Sequence, residues 1–130
     1  MTDTTTTTTD VTTTVASHLA LLNETDADRR AALLPAVWTE DGRWVDPPIE
    51  GIGYEGIGEM VAAIQAHFPE HEFRRVSGVD AHHDQLRFAW ELVAPDGTIA
   101  LTGLDVATVA DDGRLLRVTG FLGDLPPIED

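Results

Sequence analysis

Cysteine and lysine are both missing from this chain, and no apolar run approaches the length of a membrane-spanning helix. Without cysteine, neither a disulfide nor a thiolate metal site is available. Eight arginines stand against 23 acidic residues, for a formal net charge of -15. That balance removes the phosphate-neutralising surface on which nucleic-acid binding depends, and it disfavours anionic membranes for the same reason. The first ten residues, Met1-Thr-Asp-Thr-Thr-Thr-Thr-Thr-Thr-Asp10, carry neither the basic n-region nor the apolar h-region of a secretory signal. They imply a cytoplasmic protein whose Thr-rich segment 1–10 is disordered, because it has too little apolar surface to offset ordering entropy. Residues 11–130, in a chain that is 42% hydrophobic, form a single domain with a core of its own.

What is present changes character once, from helical periodicity to strand alternation. Val11, Val15, Leu19 and Leu22 follow helical spacing, with His18 on the same face. Thr25-Asp-Ala-Asp28 resembles a capping box, and Ala27, Ala31, Leu34 and Trp38 mark one face of a second helix that Pro35 should kink or end. A short strand, Arg43-Trp-Val-Asp46, leads into a Pro/Gly-rich loop. A third helix then carries Ile57, Met60, Val61, Ile64 and Phe68 up to Pro69. Strands are expected near residues 72–80, 86–93, 98–109 and 115–122, with Asp96-Gly97 and Asp112-Gly113 as hairpin turns. Three helices before a four-stranded meander make the fold class α+β, with helices covering one face of a curved antiparallel sheet.

Two aspartates stand out. Asp105 interrupts the apolar run Ile99-Ala-Leu-Thr-Gly-Leu-Asp-Val-Ala-Thr-Val109, where an ionised carboxylate is costly unless paired, hydrogen-bonded or protonated. Asp46 closes the earlier strand and precedes Pro47. Taking Asp96-Gly97 as a two-residue turn pairs Leu92 with Leu101, Trp90 with Gly103 and Phe88 with Asp105. Asp105 then lies among large apolar groups that raise its pKa, and the inward positions of the last strand are Leu116, Val118, Gly120 and Leu122. The opposite face, with Leu104, Val106 and Phe121, is apolar enough to require cover, which points to a homodimer through the sheet.

The two helices, the segment Trp38-Thr-Glu-Asp-Gly-Arg-Trp-Val-Asp-Pro47, the Gly-led helix and a meander holding Leu101-Thr-Gly-Leu-Asp105 and Gly113-Arg-Leu resemble the nuclear transport factor 2-like superfamily. Within it the likeness is to the SnoaL-like polyketide cyclase and ketosteroid isomerase branch, over Val11 to Leu125. The resemblance implies a cone-shaped fold, a general base at Asp46 and a protonated, hydrogen-bond-donating Asp105. Where the isomerases place a tyrosine on the first helix, His18 or Ala20 falls nearest, so His18 is the candidate third catalytic group. The implied activity is cofactor-independent acid/base chemistry, isomerase or cyclase in type, on a small apolar carbonyl compound.

Each candidate has a plainer alternative. Asp46 could accept hydrogen bonds from the loop after it, Asp105 could be a structural partner of the Trp44 or Trp90 indole, and His18 could be a core histidine. Trp38, Trp44, Phe88, Trp90, Leu101 and Val118 are candidate pocket wall, and Tyr54 is a candidate for the cavity mouth. A binding module that only holds an apolar metabolite, or a dimeric interaction module, is the non-enzymatic alternative. An epoxide-hydrolase-like enzyme ranks lower because the last strand offers no third carboxylate. Two motif matches are set aside. His67-Phe-Pro-Glu-His71 fits a zinc-protease pattern, but Pro69 breaks the helix between its histidines. Gly51-Ile-Gly-Tyr-Glu-Gly56 fits a dinucleotide fingerprint, but Glu50, Glu55 and Glu59 would repel a pyrophosphate. No metal site is expected.

Overall fold

A computed structural model describes the backbone of residues 4–129 and the side chains from Val11 to Glu129. Three helices, α1 (Thr4–Asn23), α2 (Ala27–Val37) and α3 (Gly53–His67), pack on a seven-stranded curved sheet. Its strands are β1 (Trp38–Val45), β2 (Glu50–Ile52), β3 (Glu72–Arg75), β4 (Asp80–His82), β5 (Gln85–Val93), β6 (Ile99–Val109) and β7 (Leu115–Leu122). The order is β2-β1-β7-β6-β5-β3, with β4 also on β5. The fold class is the expected α+β. The sheet is mixed rather than wholly antiparallel, because β1 runs parallel to β7 while every other pair is antiparallel. Among the described residues no helix is long and apolar enough to cross a membrane.

Several local expectations change. Helix α1 starts at Thr4 rather than Val11, so the Thr run from Thr4 on belongs to it, and Met1–Asp3 lie outside the described residues. Once Val11 and Val15 are packed, extending the helix backwards adds a hydrogen bond per residue without a new nucleation cost. Helix α2 is capped by Asp26, not Thr25: its side chain accepts from the Arg29 amide at 3.0 Å. The buried face of α2 is Leu34 and Val37, Ala27 and Ala31 are exposed, and Trp38 is already the first residue of β1. Strand β2, which pairs Glu50 with Val45, lies inside what reads as a Pro/Gly loop.

The hairpin turns hold three residues rather than two. Ala94 N donates to Thr98 O, Gly97 N donates to Ala94 O, and only Gly97 is left-handed, at φ +89°. Pro95 fixes φ for the second position of a type I turn, which a type I′ turn would not accept. A bulge between Leu92 and Val93 restores the count, so Phe88 still pairs with Asp105. Asp111-Asp112-Gly113 repeats the device, with its bulge at the equivalent place, between Thr108 and Val109. It exchanges Leu116 for Leu115 as the buried residue and leaves Val118 and Gly120 facing inward.

Candidate active site

The β1-β7-β6 ribbon carries the polar end of the site. Asp105 pairs with Gly120 across β6 and β7, and Trp44 and Val45 of β1 pair with Val118 and Thr119 of β7. Continuing that parallel register by one residue places Asp46 beside Gly120. A Cβ at Gly120 would collide with Asp46 Oδ1 and stand 3.1 Å from Asp105 Oδ1. The bare glycine is therefore what allows two carboxyl groups from flanking strands to converge on one spot. Asp46 itself is held by a turn around Pro47 and Pro48, in which its amide donates to Ile49 O at 2.9 Å and its carbonyl accepts from Ile49 N at 3.3 Å. The loop thus bonds to the backbone of Asp46 and leaves its side chain to other partners.

Those partners are indoles. Trp44 Nε1 donates to Asp46 Oδ1 at 3.1 Å and Trp90 Nε1 donates to Asp105 Oδ1 at 3.0 Å. Trp90 can reach because its ring lies across Gly103, where any Cβ would overlap the indole. Asp105 is 5% exposed and Asp46 is half-buried. Burial pushes the Asp105 carboxyl up to about 7, the Trp90 bond opposes that rise, and the nearby Asp46 charge adds to it. Asp46 is raised by burial and eased down by its Trp44 bond. Two carboxyls thus share one site, with the more deeply buried one favoured as the proton carrier.

Above them opens a cavity of about 320 Å³. Trp44, Asp46, Trp90 and Asp105 form its floor, Leu19 and Leu22 of α1 and Ile64 of α3 one wall, and Phe73, Leu92 and Leu101 another. The strand ends set the mouth: β1 and β7 finish here, β6 begins here, and α3 ends here. Ile49, Phe68, His67 and Leu122 ring it, and His67 is exposed.

Of the candidates read from the sequence, Asp46, Asp105, Trp44, Trp90 and Leu101 line this cavity. Trp38, Phe88 and Val118 do not; they are buried in the core, at 0%, 3% and 1% exposure. They face inward as expected, but the core is thicker than the cavity, and the helices cover their part of the sheet. Tyr54 is not at the mouth. It sits at the start of α3, where its hydroxyl accepts from Arg114 at 3.3 Å, and Arg114 also binds the Pro35 and Trp38 carbonyls. His18 is likewise outside the cavity, 1% exposed and edge-on to Trp38 and Trp44 with ring centroids 5.7 and 5.3 Å away. Burial lowers it to about 4, so it is a neutral imidazole behind Trp44. The sequence reading missed Ile49, Phe68 and Phe73 as walls. The signal available was their position as apolar residues just past or just before an element end, where a cone opens.

The chain is similar to a known domain family and to several solved structures. The SnoaL-like domain model matches residues 15–118. A crystal structure from Agrobacterium tumefaciens, named as a proposed isomerase of the SnoaL-like family, is 37% identical, covering 89% of this chain and 99% of its own with a TM-score of 0.85. A proposed SnoaL-like polyketide cyclase from Jannaschia sp. CCS1 shares the fold at 20% identity, 85% coverage of both chains and a TM-score of 0.65. So does a protein of unknown function with a cystatin-like fold from Methylobium petroleophilum, at 10% identity, 92% and 79% coverage and a TM-score of 0.71. No curated protein matches. By the extent of the model match and the likeness to the Agrobacterium protein, the chain belongs to the SnoaL-like domain family.

Proposed function

We propose that the protein is a cofactor-independent acid/base enzyme, isomerase or cyclase in type, acting on a small apolar carbonyl compound. The observation that carries this reading is the convergence of Asp46 and Asp105 over Gly120 at the floor of an otherwise apolar cavity. Asp46, the less buried carboxylate, removes a proton from the carbon α to the carbonyl. Asp105, protonated up to about pH 7, donates a hydrogen bond to the oxygen as enolate charge develops there. An α-carbon and its carbonyl oxygen are neighbours, so a base and a donor meeting at one glycine match the reaction. Trp44 and Trp90 each hold Oδ1 of one carboxyl, which fixes the carboxyl orientation. His18 takes no step, because it does not reach the cavity. The names of the Agrobacterium and Jannaschia proteins support the same class.

Benzylacetone in heavy water provides a test without the natural substrate. The protein should speed deuterium exchange at the ketone's α-carbons, read by NMR, and Asp46→Asn should reduce the protein-dependent rate by about 10². Asp105→Asn, which keeps a donor, should cost less than Asp105→Ala. Equal rates for the wild type and all three variants would overturn the assignment.

A further inference from the structure

We propose that the same cavity is a binding site for hydrophobic ammonium ions, with the charged nitrogen against Asp46 and Asp105 and the hydrocarbon part along the apolar wall. This goes beyond the carbonyl reading and does not require turnover. Each carboxyl is bonded through Oδ1 alone, to an indole, and no other donor among the described residues reaches either one. Asp105 is 95% buried by its 5% exposure, lines the cavity, and keeps Oδ2 free of any partner among the described residues. A buried carboxyl must either keep a proton or have a cation beside it, since desolvated charge is costly without one. Here none of the eight arginines lines the cavity, and among the described residues its one basic lining residue is His67, exposed at the rim.

A protonated amine supplies what is missing. Its two or three N–H donors suit two carboxyl groups that converge over the bare Gly120. Trp44, Trp90 and Phe73 line the same space, so the hydrocarbon part of such an ion meets aromatic as well as aliphatic surface. An anion of the same shape meets two carboxyls and no compensating charge. The groups that face the pair are few. The residue just after β1 is Asp46, β6 contributes Asp105, β5 and β7 contribute Trp90 and Gly120, α3 contributes His67 at the rim, and α1 contributes only leucines, with His18 behind Trp44.

Two ligand classes should then show opposite pH dependence. A ketone needs Asp105 as a donor, whereas an ammonium ion gains a second carboxylate once Asp105 ionises, which happens on passing about pH 7. The test is calorimetry with benzylacetone, the corresponding primary amine and phenylbutyrate, with Asp105 followed by carboxyl-carbon NMR in the unsubstituted protein. The amine should bind about fivefold more tightly at about pH 8 than at about pH 6 and should lower the Asp105 midpoint by about one unit, while phenylbutyrate should not bind. Asp105→Asn should abolish the pH dependence; the NMR arm gives the answer even if that variant does not fold. An amine that binds no better than benzylacetone at every pH, or leaves the Asp105 midpoint unmoved, overturns the proposal. If deuterium exchange into benzylacetone persists in that case, the carbonyl reading survives alone. Tight amine binding without exchange would remove the carbonyl reading and keep this one.

Discussion

Trp44 separates two regions that treat buried polar groups in opposite ways. On its cavity side, two indole N–H groups each meet a carboxyl oxygen. On its core side, His18 Nδ1 and Nε2 and Trp38 Nε1 are buried with no hydrogen-bond partner among the described residues. An unsatisfied buried group costs about 1–3 kcal/mol. The core side therefore carries a stability cost, while the cavity side spends its bonds on orienting two groups that can change charge. The two regions also titrate against each other. Between the ordinary value 3.8 and about 7, folded Asp105 holds a proton that the unfolded chain has released, so its contribution to stability falls as pH rises. Between about 4 and 6.5, the unfolded chain binds a proton that folded His18 refuses, so the His18 contribution rises with pH. Over the shared interval the two slopes have opposite signs.

The most disruptive way to break this contrast is to put a side chain where the carboxyls meet. Gly120→Val should abolish α-proton exchange and amine binding, and it should lower the melting temperature by several degrees, because Asp46 must leave its place. Next in size are the two charge deletions, read as stability differences from the wild type by denaturant titration across pH. The Asp105→Asn difference should move in the variant's favour by an amount on the order of a few kcal/mol as pH rises from about 4 to about 7. The His18→Phe difference should move in the variant's favour in the other direction, as pH falls from about 6.5 to about 4. A pH-independent difference for either variant would show that its group does not titrate as described. Smaller still are the indole deletions. Trp90→Phe leaves Asp105 without its donor and should raise the Asp105 midpoint in an NMR titration, at a cost of about 1–3 kcal/mol. Trp38→Phe removes an N–H that has no partner, so it should cost less than Trp90→Phe, and the Asp105 midpoint should not move. The smallest expected effect concerns the outer sheet face, where Leu104 and Phe121 are 37% and 56% exposed. If this face joins two copies, Phe121→Glu should shift sedimentation toward a 14.1 kDa species with little change in the cavity.

How far the site was legible depends on how far apart in sequence its parts lie. The environment of Asp105 could be read, because Phe88 and Trp90 sit across a short hairpin and strand alternation fixes their face. Even there the turn differed from expectation, and the pairing survived because a bulge absorbed the extra residue. In the next hairpin the bulge lies at the equivalent place, and Leu116 is itself the extra residue, so it was misplaced by one position. The meeting of Asp46 with Gly120 could not be derived from local pattern. It depends on β1 lying parallel to β7, a pairing that no turn residue encodes. Trp38 and Tyr54 were misread for a related reason: an aromatic that faces inward can face either core or cavity, and only the packing of α1 and α3 decides which.

The parallel pairing of β1 with β7 also bears on when the site comes into being. The meander from β5 to β7 closes through short turns, whereas β1 can join only after nearly the whole length of chain between its own end and β7 has been brought back. Contacts of such high sequence separation lose the most chain entropy before any contact rewards them. A refolding chain should therefore bury Trp90 against β6 before Trp44 reaches β7. Asp105 would spend that interval without Asp46 beside it, and the acid and base would become a pair only in the closing step of folding.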